Sequence, residues 1–277
     1  MLLKPVILVS KAKLAWGFSV RYAGLSAAQP ALPLPPPTTV IGFYAEPLAR
    51  LLGLSEYSHN DICSPAGLLA KYTLAAGAGL DPESPSGLTV YSEVTHVVSL
   101  PYQRERKQWE TYAWSVQALG ASYGPSALLL LGLVVDAEGL ARELGEKVSN
   151  VIDYLAWAGW RLGSKEGLVS VTKAYVSDAI QSNDMFSTLL YQDKDIVQPL
   201  DLGYVREIVM WRPSSSVFCG ASIVPEYISY YLPSSPLSSP STILPPERPV
   251  RFKTRRGSRT YCLDDQVAGL CLAVRGA

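Results

Sequence analysis

The chain has 277 residues, 48% of them apolar, and its 24 Lys plus Arg are balanced by 24 Asp plus Glu. That length and apolar content describe a globular protein with a sizeable core and exclude a disordered chain. A formal net charge of zero excludes polyanion binding driven by the overall field, so any such site must be a local patch.

In chain order, residues 5–9 read as a first strand. A polar, basic stretch follows to residue 22. Lys4, Lys11, Lys13 and Arg21 all precede the first acid, with Trp16, Phe18 and Tyr22 among them. Cations interleaved with aromatics suit a segment that tracks phosphates and stacks bases, and equally an ordinary solvated strand. "PLPPP" at 33–37 is a stiff extended strut, because proline fixes φ and lacks an N–H. Thr38 or Thr39 then caps a helix running to Leu52, with Val40, Ile41, Tyr44, Leu48 and Leu51 at helical spacing. Pro47 inside it should kink or split it. "DPESPSG" at 81–87 is a turn, and the Val- and Thr-rich 88–100 reads as a second strand. At 101–125, Arg104, Arg106 and Lys107 alternate with Tyr102, Trp109, Tyr112, Trp114 and Tyr123, which reads as a protruding arm.

Residues 127–135 form a nine-residue apolar run. That is a strand buried on both faces, not a membrane span, which needs about 20 residues. The spacing predicts one amphipathic helix over 137–158, with Leu140, Leu144, Val148, Val151 and Leu155 on its inner face. A turn, "GWRLGSKEG" at 159–167, leads to a strand at 168–176. Its Gly163 and Gly167 permit positive φ or close backbone approach. With Arg161, Ser164 and Lys165 the loop suits either a phosphate cradle or a plain helix-to-strand turn. The order strand, helix, strand, strand, helix, strand predicts an α+β, ferredoxin-like βαββαβ domain at 1–176. A β-rich region follows at 177–277. It has a strand at 203–211, with Val205, Val209 and Trp211 on one side. A Ser/Pro-rich stretch at 213–249 reads as loops.

The densest charge is "RPVRFKTRRGSR" at 248–259, with six cations and no acid. In a strand, Arg251, Lys253 and Arg255 share one face and Phe252 the other. With Arg248, Arg256 and Arg259 they suit phosphate oxygens, an acidic protein surface, or plain solvation. Cys63, Cys219, Cys262 and Cys271 form no C-x-x-C pair, and His59 and His96 are the only histidines. No metal or other cofactor is expected. The cysteines read as thiols, with a Cys262–Cys271 disulfide as the alternative. Catalytic signal is poor, although His96 or His59 with a lysine and a tyrosine could serve a metal-independent ribonuclease. The apolar stretch at 6–9 is short and lacks a cleavage site, so a cytoplasmic protein without a membrane partner is expected.

Two of these motifs together resemble a known family. "PPPTTVIGFYAEPLARLLG" at 35–53 is similar to the P-T-T-x-x-G helix start of the CRISPR-associated Cas-five family, a branch of the RAMP superfamily, and "RLGSKEGLVSV" at 161–171 to its glycine-rich loop. Their combination is most similar to the archaeal type I-A branch. The resemblance implies a non-catalytic, guide-RNA-binding subunit of a Cascade surveillance complex. It would hold the 5′ handle and contact a Cas-seven backbone subunit and the large subunit. The 101–125 arm would be the family's thumb, carrying Arg104, Arg106, Lys107 and Trp109. Thr38, Thr39 and the glycine loop would offer backbone donors to the RNA. One branch of the family instead cleaves precursor RNA, which keeps the endoribonuclease reading as the alternative.

Overall fold

The computed structural model describes residues 5–20, 28–29, 31–55, 63–97, 115–145, 147–163, 167–182, 184–219, 226–264 and 269–276. Its N-terminal half holds β1 (Pro5–Leu14), β2 (Gly17–Phe18), β3 (Ala28–Gln29), α1 (Pro37–Leu52), α2 (Pro65–Tyr72), β4 (Thr73–Leu80), β5 (Leu88–Val97), β6 (Ser115–Tyr123) and β7 (Leu128–Asp136). Next come α3 (Ala137–Leu144), α4 (Lys147–Ala158) and β8 (Val169–Asp178). Short strands follow: β9 (Ile180–Ser182), β10 (Met185–Thr188), β11 (Gln192–Asp193) and β12 (Val197–Pro199). The chain closes with β13 (Val205–Trp211), β14 (Tyr227–Pro233), β15 (Thr242–Ile243), β16 (Val250–Thr254), β17 (Ser258–Cys262) and β18 (Cys271–Arg275). Among the described residues, no helix is long and apolar enough to cross a membrane.

The central sheet has the order β4-β7-β1-β8, with every neighbouring pair antiparallel. Its second strand in sequence is therefore β4, not the Val- and Thr-rich 88–100. The sequence "TLAAGAGL" hid that strand, because Ala and Gly have poor strand propensity. The small residues serve packing. A Cβ on Gly79 would sit 1.9 Å from the Leu189 carbonyl oxygen. β5 instead pairs with β6 from Thr89↔Tyr123 to Val97↔Ser115, in a separate sheet. Of the arm expected at 101–125, β6 covers 115–123, and 101–114 lie outside the described residues.

Alternation along β1 sends its two faces to different partners. Leu8 and Ala12 join the core under the helices, with Val40, Ile41, Tyr44 and Leu48 of α1 and Leu155 of α4. Ile7 and Val9 turn the other way, onto Leu189, Leu190, Leu263, Leu270 and Leu272. β18 alternates in turn: Leu272 faces that layer, while Cys271 and Ala273 pack with Phe186, Val197, Val250 and Phe252. The layers therefore run helices, central sheet, β9-β17-β18, then β10-β16-β12. The main core also takes Tyr191, Ile208, Met210, Tyr230 and Leu232 from the C-terminal region.

α1 starts at Pro37 with Pro36 as its N-cap residue and no side-chain cap. Neither Thr38 nor Thr39 caps it, and Thr38 is buried. The helix runs unbroken through Pro47, which is itself buried. Burial of Pro47 and of its helix neighbours Tyr44 and Leu48 outweighs the roughly 3 kcal/mol a mid-helix proline costs. Tyr44 donates to the Leu131 carbonyl at 2.6 Å. The proline strut ahead of α1 is held by Tyr191, which donates to the Pro35 carbonyl at 3.0 Å. The predicted 137–158 helix is two helices, because Gly145 at φ +90° ends α3. α2 and the strand β14 were also missed.

Two disulfides are present, Cys63–Cys219 and Cys262–Cys271. The second joins residues directly opposed across β17 and β18. The first corrects the reading of thiols and could not be seen in a separation of 156 residues. In β13 the buried face carries Ile208 and Met210, while Val209 on the opposite side is exposed.

Candidate nucleic-acid interface

The helix start and the glycine loop, more than a hundred residues apart in sequence, meet in one cleft. Thr39, Gly42, Glu46, Trp160, Arg161 and Gly163 line it, enclosing about 230 Å³. A second hollow continues along α1 past Ala45, Ala49 and Arg50 to Ser64 and Pro65, and Arg161 borders both. Tertiary packing sets this geometry. A Cβ on Gly159 would fall within 2.1 Å of the Phe43 ring, so the end of α4 sits tight against α1. Gly163 has φ +63°, and a Cβ there would meet the Ser19 carbonyl and Val20. The loop closes through Leu162 N–H to the Gly167 carbonyl at 2.7 Å and Val169 N–H to the Trp160 carbonyl at 2.9 Å. Ser164 and Lys165 lie outside the described residues.

Among the described residues, several backbone donors beside the cleft are already spent. Pro37 has no N–H, and Thr39 and Val40 both donate to the Pro36 carbonyl. The glycine-loop amides of Leu162 and Val169 are spent within the hairpin. Side chains supply the chemistry instead. Trp160 is 43% exposed, and the Arg161 guanidinium lies 5.1 Å from its ring centroid. Arg50 donates to the Ala158 carbonyl at 3.1 Å and is 3.7 Å from Glu46. Gly42 leaves open space where a side chain would stand. Trp160, Gly42, Glu46 and Arg50 were missed as site residues. The signals were an aromatic beside Arg161 in the glycine loop and a glycine inside a helix.

The family model described as CRISPR-associated protein (Cas_Cas5) matches residues 7–244. The chain belongs to the Cas5 family. Two relatives come from Saccharolobus solfataricus. "CRISPR system aCascade subunit Cas5 1" is 30% identical over 232 residues, covering 82% of this chain and 88% of that one. "CRISPR-associated protein Cas5 3" is 29% identical over 208 residues, covering 74% and 80%. A solved CRISPR protein from Archaeoglobus fulgidus superimposes with a TM-score of 0.57 at 18% identity, covering 98% of this chain and 99% of its own. The fold of this Cas5 chain is thus a mixed α+β arrangement of antiparallel sheets shared with that protein.

Other expected site residues are dispersed over this Cas5 molecule. Lys11 is buried, with its ammonium 3.0 Å from Asp81 and 2.6 Å from Glu83. Burial opposes its charge, but the hydrogen bonds to the two carboxylates win and raise its pKa. It is a structural cation and not a free RNA contact. Lys13 is exposed on the same sheet face as Ile7 and Val9, away from the helices. The Trp16 ring lies 6.3 Å from that of Tyr123, which is 6.2 Å from Tyr91 at the base of the β5–β6 hairpin. Arg21, Arg104, Arg106, Lys107, Trp109 and His59 lie outside the described residues. His96 is in β5, opposite Val116.

The basic strand behaves as its alternation predicted, with Arg251, Lys253 and Arg255 exposed and Phe252 buried. Its place does not. β16 belongs to the outermost sheet, and its exposed face is turned away from the central sheet. The cleft is on the helix side. One continuous positive groove joining Arg251, Lys253, Arg255 and Arg256 to Thr39 and Arg161 is therefore not formed, because the central sheet and the β17–β18 layer stand between them.

Arg251 is also engaged. Its Nη2 donates to Asp201 at 2.7 Å and its backbone N–H at 3.0 Å. The Arg251 side-chain bond, then its backbone bond, pull the Asp201 pKa down to about 2. A carboxylate with a lowered folded-state pKa contributes stability above its unfolded value of about 3.9. That contribution is lost as pH falls from about 4 through 2. Asp201→Asn should therefore flatten the acid limb of the unfolding midpoint in this window, read by circular dichroism melts at stepped pH. Equal slopes in variant and wild type would remove the pair from the acid response.

Proposed function

We propose that this chain is the Cas5 subunit of a Cascade-type surveillance complex and that it holds the 5′ handle of the guide RNA without cleaving it. The carrying observation is the cleft that unites the α1 start with the glycine loop through Thr39, Gly42, Trp160 and Arg161. Single-stranded RNA is bound by aromatic stacking and base-edge contacts as well as charge, and this cleft offers the first two. The order β8-β1-β7-β4 with α1 and α4 packed on one face supports a ferredoxin-like RAMP domain. The name of the aCascade relative supports membership of a complex with other Cas subunits and guide RNA. A Cas-seven-type backbone subunit and a large subunit are the proposed neighbours.

Purifying the chain with its native partners and sequencing the co-purified RNA tests this directly. RNA with one uniform 5′ end is expected, and intact repeat RNA after incubation with the isolated chain in EDTA. Recovery of no RNA, or cutting of the repeat, would overturn the proposal. Gly42→Ala gives a sharper check. Open space at the Cβ position means alanine fits, and it should stabilise the helix by about 0.5–1 kcal/mol. The added methyl narrows the cleft, so RNA affinity should fall while the melting temperature rises. Both moving upward would place the RNA elsewhere.

A further inference from the structure

The cleft contains a carboxylate where a phosphate site would want none. Glu46 lines it alongside Arg161 and Gly163. Among the described residues its ion-pair neighbour is Arg50, 3.7 Å away, with both side chains about half exposed. An acid in that position repels a phosphate. Among the described residues, several backbone donors beside the cleft are committed: Thr39 and Val40 to Pro36, Leu162 to Gly167, and Val169 to Trp160. The Arg161 guanidinium lies 5.1 Å from the Trp160 ring centroid.

What remains suits a flat group with donors on one edge. Gly42 leaves a side-chain-free stretch of helix. Trp160 provides an aromatic wall. The enclosed volume, about 230 Å³, lies below the roughly 300–1,000 Å³ of sites for drug-sized ligands, which fits a single base. A carboxylate only accepts hydrogen bonds. Guanine carries two adjacent donors on its pairing edge, N1–H and the N2 amine, which match two carboxylate oxygens. Adenine and cytosine each offer one exocyclic amine there. Uracil offers one N–H between two carbonyls that repel a carboxylate.

Resting on the reading of this chain as an RNA-holding Cas5 subunit, we propose that this cleft takes one unstacked guanine of the bound RNA, with Glu46 accepting from its pairing edge and Trp160 stacking on its ring. Glu46 is thus a specificity-determining residue.

The sign of one substitution separates base from phosphate. The full-length chain is titrated with its co-purified RNA, resynthesised so that each guanosine of the 5′ segment is replaced singly by inosine, which lacks the N2 amine. Glu46→Gln and one particular inosine replacement should each weaken binding about tenfold, and together no more than either alone. Trp160→Ala should weaken binding about tenfold or more, and Trp160→Phe far less. Melting curves matching wild type show that these variants are folded. Tighter binding by Glu46→Gln would mean that a phosphate occupies the cleft. Strictly additive losses, or no sensitive guanosine at all, would remove the guanine assignment while RNA holding stands. Wild-type binding that is fully abolished by moderate salt and indifferent to sequence would overturn the RNA-holding reading itself, and the guanine site with it.

Discussion

A fragment ending at residue 176 is expected not to fold. The βαββαβ pattern ends there in sequence, but the core does not. Tyr191, Ile208, Met210, Tyr230 and Leu232 are buried in the same cluster as Leu8, Tyr44 and Leu133. Each contributes roughly 1.5–3 kcal/mol through burial. Five such losses, about 8–15 kcal/mol, equal the whole stability of a typical domain, roughly 5–15 kcal/mol. The truncation would also bare Ile7, Val9, Leu130 and Val134, which the C-terminal layer covers. The full chain should unfold in a single cooperative denaturant transition, and the 1–176 fragment should show none and aggregate. A fragment with a cooperative transition and native-like near-ultraviolet dichroism would show that the N-terminal half has a sufficient core of its own.

Loss of the Cys63–Cys219 bridge should be the largest effect of any small chemical change. The bridge closes a loop of 156 residues. In the chain-entropy account a loop of that size lowers the stability of the unfolded state by about 5 kcal/mol, against about 2.5 kcal/mol for a nine-residue loop. It also joins elements that already touch. Ser64 N–H donates to the Phe218 carbonyl at 3.1 Å, and Gly67 lets α2 approach Ser215. Replacing Cys63 and Cys219 by serine should therefore cost about twice as much as replacing Cys262 and Cys271, measured as unfolding free energies extrapolated to water from denaturant titrations. The reverse ranking, or midpoints unmoved by full reduction, would show that the bridges add nothing beyond the packing around them.

The residues that made the family legible are those whose local physics is self-contained. The proline run leads straight into α1, which starts at its last proline, Pro37, although the chain bends at Pro33 and Leu34 before it reaches extended Pro36; the Pro35 carbonyl is held by Tyr191. The basic strand had to alternate, and Phe252 is buried between exposed Arg251 and Lys253. The apolar 127–135 run had to be an inner strand, and β7 is bordered by β1 and β4. By contrast, "TLAAGAGL" showed nothing of a strand. Its value to the fold is the absence of side chains where the Leu189–Leu190 layer lies against it. The single positive groove also failed on packing grounds, since a segment's charge says nothing about which layer will carry it.

By itself, then, the amino-acid order determined the helix start, the strand alternation, the glycine loop and the family they identify, because periodicity, proline geometry and side-chain chemistry act within a few residues. Tertiary structure alone decided that β4 and not β5 completes the central sheet. It also decided that Cys63 meets Cys219 and that the basic strand faces away from the cleft. Only packing brought Glu46 and Trp160 to the lining of one hollow. These outcomes depend on contacts between residues far apart in sequence, whose pairing is set by which surfaces exclude water together and not by any local pattern.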